Sequence, residues 1–227
     1  MKNICTVAVI LCALLSLCAC NKAENKNTAV AIAIVNGESV TNDELQYFEG
    51  KLKAQVLNDY LQKYHVEYSA GFWSRKFDGK TPEQALNEQA LEKCMTAKMQ
   101  FVLMREKGIY ADISYQGLYD KATAFNKANS NKTGVVGLKS IKMSQFYSYY
   151  LDNGVMELKN ILAKDEIKPS EKEISERVTQ LKASKKFTAG TDLKSIAASQ
   201  LIAEKYDQYI AGLRKAADVK MIDTAQK

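Results

Sequence analysis

Val30-Ala31-Ile32-Ala33-Ile34-Val35-Asn36-Gly37-Glu38-Ser39-Val40-Thr41-Asn42-Asp43-Glu44-Leu45 is the stretch on which the fold turns. Val30–Val35 is a short apolar, β-branched run, and Asn36-Gly37 behind it is a strong turn signal. Thr41 with Glu44 three residues on makes a capping box, in which each side chain satisfies the other residue's backbone N–H as a helix begins. The reading is strand, turn, helix. Leu45, Phe48, Leu52, Val56, Tyr60 and Tyr64 then recur at helical spacing, which carries the helix to about His65.

Further along, Ser69–Lys80 reads as a loop rich in aromatics, among them Phe72, Trp73 and Phe77. Thr81, Pro82 and Gln84 open a second helix with another capping box, and Gly108 suits its end. Its stripe of Leu86, Ala90, Cys94, Ala97, Phe101 and Met104 is widened by Leu91, Met95, Met99 and Val102. A helix apolar over so much of its circumference belongs at the centre of a fold. Tyr115–Lys127 is a weaker helical candidate, Asn126–Gly134 a polar loop and Gly134–Leu138 a brief extended segment. Ser144–Lys164 is the next helix, with Gly154 inside it costing about 1 kcal/mol relative to Ala. Ser170 and Glu173 cap a short helix through Leu181, Lys182–Thr191 is a polar bridge, and a last long helix carries Leu193 to Ala217. Val219–Ile222 is a candidate closing strand.

The chain starts with an apolar run, Ile4–Leu17, behind Lys2 and ahead of Cys18-Ala19-Cys20. That run is too short to span a bilayer, which takes about 20 residues, and has the length of an export signal's apolar core. Leu17 at −3 and Ala19 at −1 resemble a bacterial lipobox, with Cys20 as the acylated residue. Cys18 fits less well, because Leu17 would then stand where a small residue is expected. Residues 1–19 are read as a lipoprotein signal, 20–28 as a polar tether and 29–227 as the folded part, outside the cytoplasm in the bacterial cell envelope.

Of five cysteines only Cys94 then remains in the folded part, so no internal disulfide forms there. Cys94 lies on an apolar stripe and reads as a small core hydrophobe. The net charge of +6 is mild, and Lys alternates with Glu and Asp along the chain, which is the pattern of a solvated surface and not of a nucleic-acid groove. One histidine, His65, and no CxxC or HExxH in the folded part leave no metal site to propose. His65 at a helix C-terminus complements the dipole. Phosphate-binding loops, dinucleotide fingerprints and nucleophile elbows are absent from the sequence, so no cofactor and no catalytic residue is expected.

Ala33-Ile34-Val35-Asn36-Gly37-Glu38-Ser39-Val40-Thr41 leading into Asn42-Asp43-Glu44-Leu45 resembles the opening of the SurA and PrsA type extracytoplasmic chaperones. Met99–Ile109, closing on Arg105-Glu106-Lys107-Gly108-Ile109, resembles the end of that family's second long helix, and Glu204–Met221 its final helix and closing strand. The resemblance spans nearly all of the chain after Cys20. It implies a mainly α, multi-helix chaperone domain of the SurA N-terminal kind, closed by the C-terminal helix. A small two-stranded antiparallel ribbon, Val30–Val35 with Val219–Ile222, would join the two ends. Family members commonly carry a parvulin prolyl-isomerase domain where this chain has only Lys182–Thr191, and ten residues cannot fold a catalytic domain. The resemblance therefore implies the chaperone without the isomerase.

Client-binding candidates follow from residue type. Phe72 and Trp73 in the aromatic loop are potential anchors for a bound chain, although Trp73 equally suits a core plug between helices. Tyr147, Tyr149 and Tyr150 with Phe146 surround one helix, so some must face solvent or a cleft. Met95 and Met99 are adaptable side chains that serve either promiscuous binding or an irregular core. The function expected is ATP-independent holding of unfolded or partly folded exported polypeptides by a lipid-anchored protein that binds no nucleic acid. The alternatives are an envelope module for one dedicated protein partner and an unrecognised peptidyl-prolyl isomerase.

Overall fold

A computed structural model describes residues 29–130, 139–184, 186–188 and 190–223. The signal, Cys20, the tether and the extended segment Gly134–Leu138 lie outside the described residues. The fold is mainly helical, with one small antiparallel sheet.

The sheet starts where the sequence says, with β1 (Ala31–Val35). Asn36 and Gly37 then both take positive φ, 49° and 83°, as a tight two-residue hairpin requires. The chain reverses into β2 (Glu38–Thr41), pairing Val35 with Glu38 and Ala33 with Val40. The expected two-stranded ribbon is therefore a three-stranded sheet. Glu38 and Ser39 are poor strand formers, so β2 carries little β propensity of its own and forms because the Asn-Gly turn lays it against β1. On the other side of β1, β3 (Val219–Met221) pairs antiparallel, with Val35 opposite Val219 and Ala33 opposite Met221. Asn36 secures this return: its backbone N–H donates to the Asp218 carbonyl at 2.9 Å and its Oδ1 accepts from the Asp218 N–H at 2.9 Å.

The helices are α1 (Asn42–Tyr64), α2 (Pro82–Glu106), α3 (Tyr115–Ser130), α4 (Met143–Leu162), α5 (Glu171–Ala183) and α6 (Leu193–Ala216). All three expected capping boxes form, at Thr41/Glu44, Thr81/Gln84 and Ser170/Glu173. α3 runs three residues past Lys127, so Asn126–Ser130 is helix and not loop. The Asn126 side chain explains this, because it clasps the start of the α4 segment, donating to the Ile141 carbonyl and accepting from its N–H.

α2 is the central helix. Its Ala97, Phe101 and Met104 meet Tyr147, Leu151 and Leu158 of α4, Tyr206 and Ile210 of α6 and Leu118 of α3 in the main core. A second cluster seats the sheet's Ala33, Val35 and Val40 on Cys94, Met95 and Met99 of α2. Cys94 is buried as expected, and burial pushes its thiol pKa up, away from reactivity. α5 stands apart from both, packing on the first half of α6 through Ile174, Leu181, Ala197 and Leu201. Gly154 lets α4 close on α2, since a Cβ there would sit 2.5 Å from Met104 Sδ and 2.7 Å from a Tyr110 ring carbon.

Candidate functional site

α1 buries only Glu44, Leu45 and Val56 along its 23 residues, so most of its surface is left to other uses. Beside it runs α4, held near by Tyr47 against Tyr147, ring centroids 4.7 Å apart, and by Lys51 Nζ donating to Ser148 Oγ at 3.4 Å. Between the two helices lies an open depression of about 620 Å³, with Tyr47, Gly50 and Lys51 on one side and Ser148, Tyr149 and Asp152 on the other. A second depression of about 330 Å³ adjoins it across Gln46 and Gly50 and is walled by Trp73, Lys53 and Leu86. A third, of about 260 Å³, shares Gln46 and Tyr47 and reaches Tyr115 and Tyr147. Together they form a furrow along α1.

Gly50 is the residue that opens it. Nothing lies within 4 Å of where its Cβ would be, so the missing side chain is missing volume in the furrow and nothing else. The aromatic walls are flanked by cations: Lys51 Nζ lies 5.5 Å from the Tyr47 ring centre and Lys53 Nζ 5.4 Å from that of Trp73. Asp43, Glu49, Glu83 and Asp152 line the same depressions, which keeps the furrow wet between its aromatic patches.

Beneath the furrow is a buried ionic cluster. Lys98 Nζ of α2 meets Glu44 Oε1 of α1 at 2.8 Å, and both side chains are 1% exposed. The same oxygen accepts from the Tyr147 hydroxyl at 3.2 Å, while Oε2 accepts from the Thr41 N–H at 2.9 Å and its hydroxyl at 3.1 Å. Burial, and then the neighbouring Glu44 charge, push the Tyr147 pKa well above the usual tyrosine value, so its hydroxyl stays a donor. One carboxylate thus caps α1, pairs with α2 and fixes the tyrosine of α4.

The client-binding candidates divide on burial. Phe72, Met95, Met99 and Tyr147 are 1–4% exposed and sit in the interior, and of the four only Tyr147 borders a depression, at the floor of the smallest one. Phe72 is the hub of a ring cluster with Tyr60, Tyr68, Trp73 and Phe77. Met95 and Met99 lie under the sheet, and Met99 Sδ accepts from Asn36 Nδ2 at 3.3 Å. Tyr150 turns to a different side of α4, stacked on Tyr110 at 3.9 Å. Trp73 and Tyr149 remain: Trp73 is half-buried, Tyr149 is 64% exposed, and each lines the furrow. Composition cannot separate these groups, because only the helix packing decides which aromatic side faces inward.

Tyr47, Gly50 and Lys51 were not among the candidates. The one signal near them was Gly50 itself, a glycine that costs about 1 kcal/mol relative to Ala within an otherwise well-formed capped helix. Lys98 was equally legible, since it falls four residues after Cys94 and three before Phe101, on the apolar stripe.

No family model and no curated protein matches this chain in sequence. Among the described residues there is no cluster of His, Cys, Asp and Glu that could hold a metal ion, and no helix is long and apolar enough to cross a membrane. A further depression of about 510 Å³ lies between α2 and α6, where Arg214 is already engaged by Glu92.

Proposed function

We propose that this protein is a membrane-anchored, extracytoplasmic chaperone-like lipoprotein that holds unfolded or partly folded exported polypeptides without ATP. The observation that carries the reading is the furrow along α1, with Trp73 at one end and Tyr149 on its flank. From Asp43 to Lys53 the helix rises about 15 Å, the length of four or five residues of extended chain. Adjoining hollows of different size accept side chains without selecting one shape. Aromatic rings supply most of the contact energy, and the interspersed carboxylates, lysines and serines hydrogen-bond to a client's backbone. A site so shallow and mixed accepts many sequences, as a holdase requires.

The closing strand β3 lies beside β1, as the resemblance to the SurA and PrsA type chaperones implies, and this supports the same reading. Acylation at Cys20 would keep the furrow near the membrane where clients emerge. No catalytic step is part of the proposal.

The test is aggregation of a chemically unfolded reporter protein with and without the mature chain, beside an inert-protein control. Suppression near stoichiometric amounts is expected, and loss of suppression on replacing Trp73 and Tyr149 by Ala would place clients in the furrow. An absence of suppression, together with one tight partner recovered from envelope extract, would replace the holdase with a dedicated interaction module.

A further inference from the structure

The trough between α2 and α6, about 510 Å³, shares no lining residue with the furrow along α1. Glu92 pairs with Arg214 and Gln100 with Tyr206, so the two helices run antiparallel along it. The lining is polarised. Lys93, Arg214 and Lys215 gather at one end, while Gln100 and Asp207 mark the other, seven residues and about 10 Å along α2. Between the ends, Ala97 and Ala211 are too small to fill the gap. The floor there is apolar, with Ile210 buried and Phe48 of α1 and Leu151 of α4 reaching it from beyond.

The groups at the two ends have little to hold within the protein. Lys93, Lys215 and Asp207 have no ion pair among the described residues. Arg214 meets Glu92 through Nη2 alone, at 3.1 and 3.2 Å to the two oxygens, and the Glu92 side chain is 64% exposed. Its Nε is buried and has no hydrogen-bond partner among the described residues. A guanidinium holds a carboxylate best through two parallel N–H groups, so Glu92 is a weak occupant that a second carboxylate displaces. Gln100 donates an amide N–H to the Tyr206 hydroxyl at 3.0 Å, and the Thr96 hydroxyl donates to the Glu92 carbonyl at 2.8 Å. Each keeps an oxygen with which to accept.

We propose that this trough binds a short free peptide in extended form, its carboxylate at Arg214 and Lys93, its ammonium at Asp207 and an apolar side chain over the floor. Three residues of extended chain span about 10 Å, which matches the separation of the cationic and acidic ends. Peptide N–H groups meet the Thr96 and Gln100 oxygens, which a fatty acid would leave unused. Both termini are free, so an internal segment of a long chain does not match the charges at either end. The inference stands apart from the holding of unfolded chains along α1 and does not rest on it.

The test is equilibrium dialysis of the protein, purified as the cell processes it, against isotope-labelled Ala-Leu-Ala at neutral pH and low salt. Half-saturation below about 1 mM is expected. Amidating the carboxylate should weaken binding about tenfold and acetylating the amine about fivefold. Asp207→Asn should abolish the penalty for acetylation and keep that for amidation, and Arg214→Gln should do the reverse. Ala211→Leu, at an exposed position, should remove binding by filling the trough with both charges in place, and it decides the question if Arg214→Gln folds poorly. Far-ultraviolet dichroism checks the fold of each variant. No retention of peptide up to about 10 mM overturns the proposal. Equal binding of free and doubly capped peptide, decanoate binding as tightly as the tripeptide, or binding unchanged by Ala211→Leu also overturns it.

Discussion

Lys98 Nζ and Glu44 Oε1 are 2.8 Å apart in the interior, between α2 and α1, with each side chain 1% exposed. An ion pair out of water holds only when the remaining polar positions are satisfied. Glu44 meets this condition, since its two oxygens also take the Tyr147 hydroxyl and both donors of Thr41. The pair therefore orients three elements at once, and the floor of the furrow depends on it.

Lys98→Met is expected to cost about 3–5 kcal/mol, because it leaves Glu44 charged and unpaired in the core. Adding Glu44→Gln should recover most of that loss, since a glutamine still accepts from Thr41, as Gln84 does in the equivalent box of α2. Urea unfolding of the two variants and the wild type measures both. A Lys98→Met protein within about 1 kcal/mol of wild type would show that the pair does not hold the helices.

Gly154→Ala pits helix propensity against packing. In an open helix the change would stabilise by about 1 kcal/mol. Here the new methyl meets Met104 and the Tyr110 ring, and overpacking of this kind costs about 1–3 kcal/mol. A net loss of about 1 kcal/mol is expected, with the stacking of Tyr110 on Tyr150 disturbed. Thermal unfolding with near-ultraviolet dichroism reads both effects, and a more stable variant would refute the close approach.

Gly50→Leu separates fold from function. The position is exposed with no neighbour within 4 Å, so a better helix former should raise stability by about 0.5–1 kcal/mol. The same side chain fills the furrow, and suppression of reporter aggregation should weaken about tenfold, equivalent to 1.4 kcal/mol of binding. Unchanged suppression by a stabilised variant would move the client site off α1.

Glu173 makes α5 sensitive to acid. The Lys205 ammonium, and then the hydrogen bonds from Ser170, hold its pKa down at about 2, below the usual 4.5. A lowered carboxylate pKa stabilises the fold above the unfolded value, and the contribution is lost as pH falls from 4.5 to about 2. Because α5 packs through its own small core on α6, the loss should appear as local melting of α5. Hydrogen exchange across this pH range should show α5 opening before α2, and Glu173→Gln should flatten the dependence. Simultaneous opening of α2 and α5 would argue against a separate unit.

The sequence by itself determined what is local. Capping boxes at Thr41, Thr81 and Ser170 and the repeating apolar positions of α1, α2, α4 and α6 act over a few residues, so helix type and most boundaries could be read directly. The Asn36-Gly37 turn was legible too, although β2 was not, since its strand character comes from pairing with β1 and not from its own residues. Tertiary structure alone decided the site. Phe72, Met95, Met99 and Tyr147 are as apolar or aromatic as Trp73 and Tyr149, yet Met95 and Met99 are covered by the sheet and Phe72 and Tyr147 by neighbouring rings, while the last two stay partly or largely exposed on the furrow. Glu44 and Lys98 lie 54 positions apart in the chain, and their pairing exists only because α1 and α2 pack side by side. Local signals specify which backbone forms. Spacing also shows which side of a helix turns inward, but which outward positions of separate elements meet in one furrow depends on long-range packing, which no spacing along the chain encodes.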